Sequence, residues 1–221
     1  MKRQFLFLAL AAGVASCNKI VDDKLPEPTP ESTALYRVTF EATWSAATHP
    51  GSYPAGAHFS PLIGASHRPA VDARLFRAGF PASPGIKNMA ELGNNTALRA
   101  GIKALIGEQK AFRLLDGRNA TASPGLLVDT LRLDVQHPVV TVVTMIAPSP
   151  DWFAALDAEN LLENGNVWAT TRRIPAIFYD AGTDSGLEYT SSDQPTTPAT
   201  PIVVGYTPGA PLGYFKLERI K

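Results

Sequence analysis

Three aspartates stand where β-rich, apolar stretches give way to turns. Asp151 follows Val139–Ile146 and the stiffening prolines Pro148 and Pro150, while Asp180 and Asp184 follow Ile174–Tyr179 in the loop DAGTDSG. Carboxylates on two strand-end loops are the donors a hard cation takes, since Ca²⁺ gathers roughly six to eight oxygens at about 2.3–2.6 Å. Gly182 and Gly186 relax the second loop, so the carbonyls of Ala181 to Thr183 are candidate additional ligands. An EF-hand is excluded, because counting from Asp180 puts Gly182 at the third position, Ser185 at the sixth and Ser191 at the twelfth, where that loop needs an oxygen ligand, Gly and Glu. The same aspartates suit Asx turns at strand ends. Spacing alone leaves a Ca²⁺ site and a purely structural role both open.

A second reactive group is Cys17, the single cysteine of the chain. It ends a segment that begins with the cations Lys2 and Arg3 and continues through FLFLALAAGV, Phe5–Val14, too short to span a bilayer. That is the pattern of an export signal. Val14-Ala15-Ser16-Cys17 resembles a bacterial lipobox, in which the cysteine is acylated on sulfur and becomes the new N-terminus. Residues 1–16 are therefore expected to be removed as a lipoprotein signal peptide. Residues 17–34 form a lipidated cysteine and a tether that Pro26, Pro28 and Pro30 hold extended. Asp22-Asp23 resembles a sorting signal for surface-exposed lipoproteins, and equally suits a solvated linker.

Other constellations are weaker. His49, His58, His67 and His137 lack zinc-site spacing, and one cysteine excludes a Cys-cluster metal site. Ser60, His67 and an Asp could be written down as a hydrolase triad, but no GxSxG elbow accompanies them, and no catalytic residue is expected. Trp44, Trp152 and Trp168 could form a sugar-stacking platform; a buried aromatic is the preferred reading for Trp44, while Trp152, beside Asp151, is left open between the two. Twenty Lys and Arg balance twenty Asp and Glu, leaving no cationic excess for nucleic acid.

These residues need elements to position them. YRVTFEATW, Tyr36–Trp44, alternates apolar and polar, which predicts a half-buried strand with Val38 and Phe40 inward. Leu127–Val135 alternates likewise, and the continuously apolar Val139–Ile146 predicts a central strand. Further strands are predicted at Ile174–Tyr179, Ile202–Tyr206 and Tyr214–Ile220. Helices are predicted at Pro84–Leu92 and from Asn95 or Thr96 through Ile106, where Leu98, Ile102, Leu105 and Ile106 share a face. Together they make a mainly β chain: an antiparallel β-sandwich with short helices inserted between early and late strands and packed at one edge.

HFSPLIGASH (His58–His67), SPGIKNMAELG (Ser83–Gly93), TMIAPSPDWF (Thr144–Phe153) and DAGTDSG (Asp180–Gly186) resemble, in order, motifs of the spondin domain found in F-spondin and mindin. The resemblance extends over 35–221. It implies a C2-like β-sandwich of extracellular adhesion and matrix proteins, with a calcium site on the carboxylates that correspond to Asp151, Asp180 and Asp184. Tyr179 stands where the family often has Trp, and the family's thrombospondin repeats are absent. The expected protein is a non-enzymatic, calcium-binding, lipid-anchored protein of the cell envelope. Acylated Cys17 would join it to the lipid bilayer, outer membrane or cell surface, and its partner would be a surface glycan or protein. A hydrolase at the loop end of the sandwich is the competing class.

Overall fold

The computed structural model describes residues 31–205 and 209–221. The signal segment, Cys17, most of the tether and Tyr206 lie outside those residues. In chain order the strands are β1 (Thr33–Ala42), β2 (His58–Phe59), β3 (Ile63–His67), β4 (Ala111–Asp116), β5 (Thr121–Ala122), β6 (Gly125–Asp134), β7 (Val139–Ala147), β8 (Trp152–Asn160), β9 (Leu162–Glu163), β10 (Val167–Trp168), β11 (Thr171–Pro175), β12 (Ile177–Asp180), β13 (Val203–Val204) and β14 (Gly213–Arg219). Helices α1 (Pro84–Leu92) and α2 (Thr96–Gly107) fall between β3 and β4.

One antiparallel sheet runs β11-β14-β1-β6. The larger sheet runs β13-β12-β8-β7-β2-β5, with β3 also on β7 and β4 on β3. The two sheets form the expected β-sandwich. In β1, Ala34, Tyr36, Val38, Phe40 and Ala42 are buried, as the alternation of apolar and polar residues requires. The strand ends at Ala42, before the predicted Trp44, because the N–H groups of Thr43 and Trp44 both turn to the Leu212 carbonyl. Trp44 stays buried past the strand end. In β6, Leu127, Leu131 and Leu133 face inward, but Val135 lies beyond Asp134 and is exposed.

The helices do not sit at an edge. They lie against the outer face of the larger sheet, where Ile86, Met89, Leu98 and Ile102 pack on Ile63, Val143, Phe153 and Tyr179 as a second core. Strand β7 therefore has core on both faces, with Val140, Val142 and Ile146 turned to the sandwich interior and Val143 to the helices. This explains why its sequence is apolar without alternation. Ser83 caps α1 by accepting the Ile86 N–H at 3.2 Å, and Gly93 ends it in the left-handed conformation at φ 61°. At α2 the side chain that receives an N–H is that of Asn94, from Thr96 at 3.0 Å, whereas the Asn95 amide donates to the Pro61 carbonyl.

The predicted strand Ile174–Tyr179 is two strands in different sheets. Pro175 ends β11 opposite Tyr214, Ala176 donates to Gly213, and the chain crosses to pair β12 with β8. This crossing carries Asp180 from the smaller sheet's edge to the neighbourhood of Asp151.

Phe40 is fully buried between Phe59, at 4.7 Å between ring centroids, and Phe215, at 5.0 Å. Truncation there removes an aromatic bridge between the sheets, so Phe40→Ala should destabilise the fold by about 3–5 kcal/mol. Urea unfolding of both proteins measures this. A loss under about 1 kcal/mol would mean that the sheets do not meet at this ring.

Candidate functional site

The exit of β7 is tied by Ser149, whose hydroxyl donates to the Ile146 carbonyl and accepts the Trp152 N–H at 3.1 Å. The resulting turn leaves Asp151 immediately before β8, with no exposed surface. Antiparallel pairing sets Trp152 opposite Asp180, and the Ala181 N–H donates to the Asp151 carbonyl at 3.2 Å. Register thus joins two loops that are far apart in sequence.

The Asp151 carboxylate is asymmetric in its surroundings. Its Oδ2 accepts from the Thr183 N–H at 2.6 Å, the Thr183 hydroxyl at 3.2 Å and the Asp184 N–H at 3.1 Å. Its Oδ1 is buried and has no hydrogen-bond partner among the described residues. Burial, helped by the charge of Asp180, pushes the Asp151 carboxyl up to about 6 against the opposing pull of the Thr183 N–H. A buried acceptor without a donor costs on the order of 1–3 kcal/mol, and more when charged.

Asp180 is partly exposed, and its Oδ1 accepts the Gly182 N–H at 2.7 Å. Asp184 is nearly buried and organises its own loop, with Oδ1 accepting from Gly186 at 2.7 Å and Oδ2 from Gln194 at 2.7 Å. Of the carbonyls named as candidate ligands, Gly182 already accepts from the Thr200 N–H and hydroxyl, and Thr183 from the Thr196 N–H. Gly182 has φ 72°, and a Cβ there would lie 2.4 Å from the Thr200 carbonyl oxygen. Only glycine permits this junction. Among the described residues no group of three or more His, Cys, Asp or Glu side chains is spaced to hold a metal ion by itself. Asp180 and Asp184 each accept the N–H two residues on, as an Asx turn does, while Asp151 keeps a buried oxygen with no partner among the described residues.

Beside Asp180 opens a cleft of about 590 Å³ lined by Tyr53, Trp152, Phe178, Tyr189 and Glu188. Trp152 meets Phe178 and Tyr189 edge to face, with centroids 5.3 and 4.9 Å away. Trp44 packs behind Tyr189 at 4.7 Å, and Trp168 is buried elsewhere, donating to the Glu31 carbonyl. Sequence reasoning missed Thr183 as the main partner of Asp151, although its place between Gly182 and Asp184 was a signal. It also missed Tyr53, Glu188 and Tyr189, which sit on loops with no periodicity to reveal them.

The hydrolase residues do not assemble. Ser60 Oγ accepts the Met145 N–H at 2.9 Å and lies 3.4 Å from the Thr144 hydroxyl, while His67 bonds the Arg68 carbonyl and the Thr141 hydroxyl, each at 2.8 Å. Burial holds His67 below its usual range, which suits a neutral ring in the core. His58 is tied to the Gly56 carbonyl on the surface.

A family model, Spondin_N, matches residues 34–208. Spondin-1 of Homo sapiens is 35% identical over 178 residues, covering 77% of this chain and 21% of spondin-1. Spondin-1 of Xenopus laevis is 33% identical over 178 residues, with the same coverage. Spondin-2 of Homo sapiens is 31% identical over 195 residues, covering 85% of this chain and 58% of spondin-2. The chain thus spans about a fifth of the spondin-1 proteins it matches and less than two thirds of spondin-2.

Proposed function

Because the chain belongs to the Spondin_N family, we propose that it is a non-enzymatic recognition or adhesion module of the cell envelope, stiffened by Ca²⁺ and held to a membrane by acylated Cys17. The calcium reading is carried by one observation: the buried Asp151 Oδ1 has no partner among the described residues, beside an Asp180 carboxylate whose negative charge disfavours its ionisation. The donor set is all oxygen, which suits a hard cation. Asp151 and Asp180 would hold the ion, with main-chain and solvent oxygens completing its shell. Asp184 would serve through its loop, since each of its oxygens already receives an N–H. The ion would neutralise the converging carboxylates and lock the two loops beside the cleft, lowering the ordering cost when a surface glycan or protein binds.

The family resemblance supports export and an extracellular kind of work, and the lipobox at Cys17 supports retention by acyl chains. Among the described residues no helix is long and apolar enough to cross a membrane. Titration calorimetry with Ca²⁺ on the chelator-treated protein tests the ion site. One-site binding that is absent from Asp180→Ala is expected, and no heat with the folded wild type would overturn the reading.

A further inference from the structure

The aromatic cleft has a charge character of its own. Asp180 and Glu188 line it, neither is ion-paired among the described residues, and no Lys, Arg or His among those residues contributes to its wall. Around these two carboxylates stand the rings of Tyr53, Trp152, Phe178 and Tyr189, with Trp152 perpendicular to both Phe178 and Tyr189. Ring faces carry negative potential and attract a cation that enters between them, an attraction that grows as water is excluded. Carboxylates at the same wall add a directional demand, because they accept hydrogen bonds. A neutral apolar ligand would offer the two acids no donor, and an anion would be repelled.

We propose that this cleft receives a basic side chain, a lysine or an arginine, presented by a protein partner. Such a side chain meets each feature of the wall: its alkyl stem packs on the rings, its charge is complementary, and its N–H groups donate to Glu188 and Asp180. A quaternary ammonium would satisfy the rings but has no proton to donate to the acids. The rim fits a polypeptide, because Leu187 is 88% exposed and Val203 is 51% exposed beside the cleft, offering apolar surface to residues that flank the basic one. The inference goes beyond the calcium site, with which it shares Asp180; Glu188 takes no part in that site, so the Glu188→Gln arm of the test below is separate from it.

The test is a titration of the purified full chain, in chelator so that the outcome is independent of the ion, followed by the indole fluorescence and the Trp152 side-chain N–H resonance. The probe is Nα-acetyl-lysine methylamide, with the norleucine analogue as its neutral isostere and choline as the quaternary cation. The lysine probe is expected to bind saturably, at least about fivefold more tightly than either control. Glu188→Gln, on an exposed loop where folding is not at stake, is expected to weaken it by about the same factor, and Asp180→Asn to do likewise. Equal binding of the norleucine analogue would reduce the cleft to an apolar groove and overturn the proposal. Tighter binding of choline would overturn the assignment to a protein side chain, and an unchanged affinity in Glu188→Gln would remove the acid from its role.

Discussion

In the presence of a chelator, the wild-type protein should lose stability relative to Asp151→Asn as the pH rises from about 4 to about 6. The folded-state carboxyl is pushed up to about 6 by burial, against an ordinary value of 3.8. A group raised on folding contributes stability that is fully present below the unfolded value and disappears as pH passes the folded one. Above about pH 6 the charged form must be tolerated in a buried place with one oxygen unpartnered. Calcium should invert the slope, because it favours the ionised carboxylate. At a hundredfold excess over its dissociation constant a ligand stabilises by about 2.7 kcal/mol, which for a chain of this size is about 5–10 °C in Tm. The amide introduced by Asp151→Asn can keep its oxygen toward Thr183 and Asp184, so the fold survives while the anionic ligand is gone. Melting curves at four or five pH values, with calcium and with chelator, measure both arms. A wild-type slope in chelator no different from that of Asp151→Asn, or an Asp151→Asn protein still stabilised by calcium, would sink the site.

How much of this could be read beforehand depends on the range over which each feature is determined. The strand at Tyr36 was legible because one sheet face is buried and the other wet, and a period of two follows directly. The helices were legible from their caps and spacing, as at Ser83 and Gly93. What covers the helices' inner face was not, because a run such as VVTVVTMI says only that both sides of a strand are dry, without naming the second layer. The strand switch at Pro175–Ala176 was hidden for a similar reason: apolar residues on both sides of a proline look like one strand until partners are assigned. The site divides in the same way. Asp151, Asp180 and Asp184 were visible as acids in turns, but their unequal roles depend on which N–H groups reach them, and the register between β8 and β12 decides that. Tyr53 and Tyr189 enter the cleft from long loops, whose paths local sequence does not determine.

The second large effect is expected at a residue outside the described region. Replacing Cys17 by serine should move the protein from the membrane fraction to unprocessed precursor or released soluble material, because its sulfur would be the attachment point of the acyl chains. Each buried methylene contributes about 0.8 kcal/mol, so one chain gives marginal, reversible binding and two or more give stable retention. The rest of the chain offers little to replace them. Removal of residues 1–16 would take away Lys2 and Arg3 and leave 18 Lys and Arg against 20 Asp and Glu, a formal side-chain charge of −2 that is no attraction to an anionic bilayer. Detergent-phase partitioning of wild type and Cys17→Ser, with metabolic labelling by a radioactive fatty acid, reads both anchoring and acylation. Labelled wild type in the detergent phase and unlabelled Cys17→Ser in precursor or aqueous form are the expected results. Should Cys17→Ser stay in the membrane as mature, cleaved protein, retention would have to come from the folded domain itself, and the tether of residues 17–34 would lose its assigned purpose.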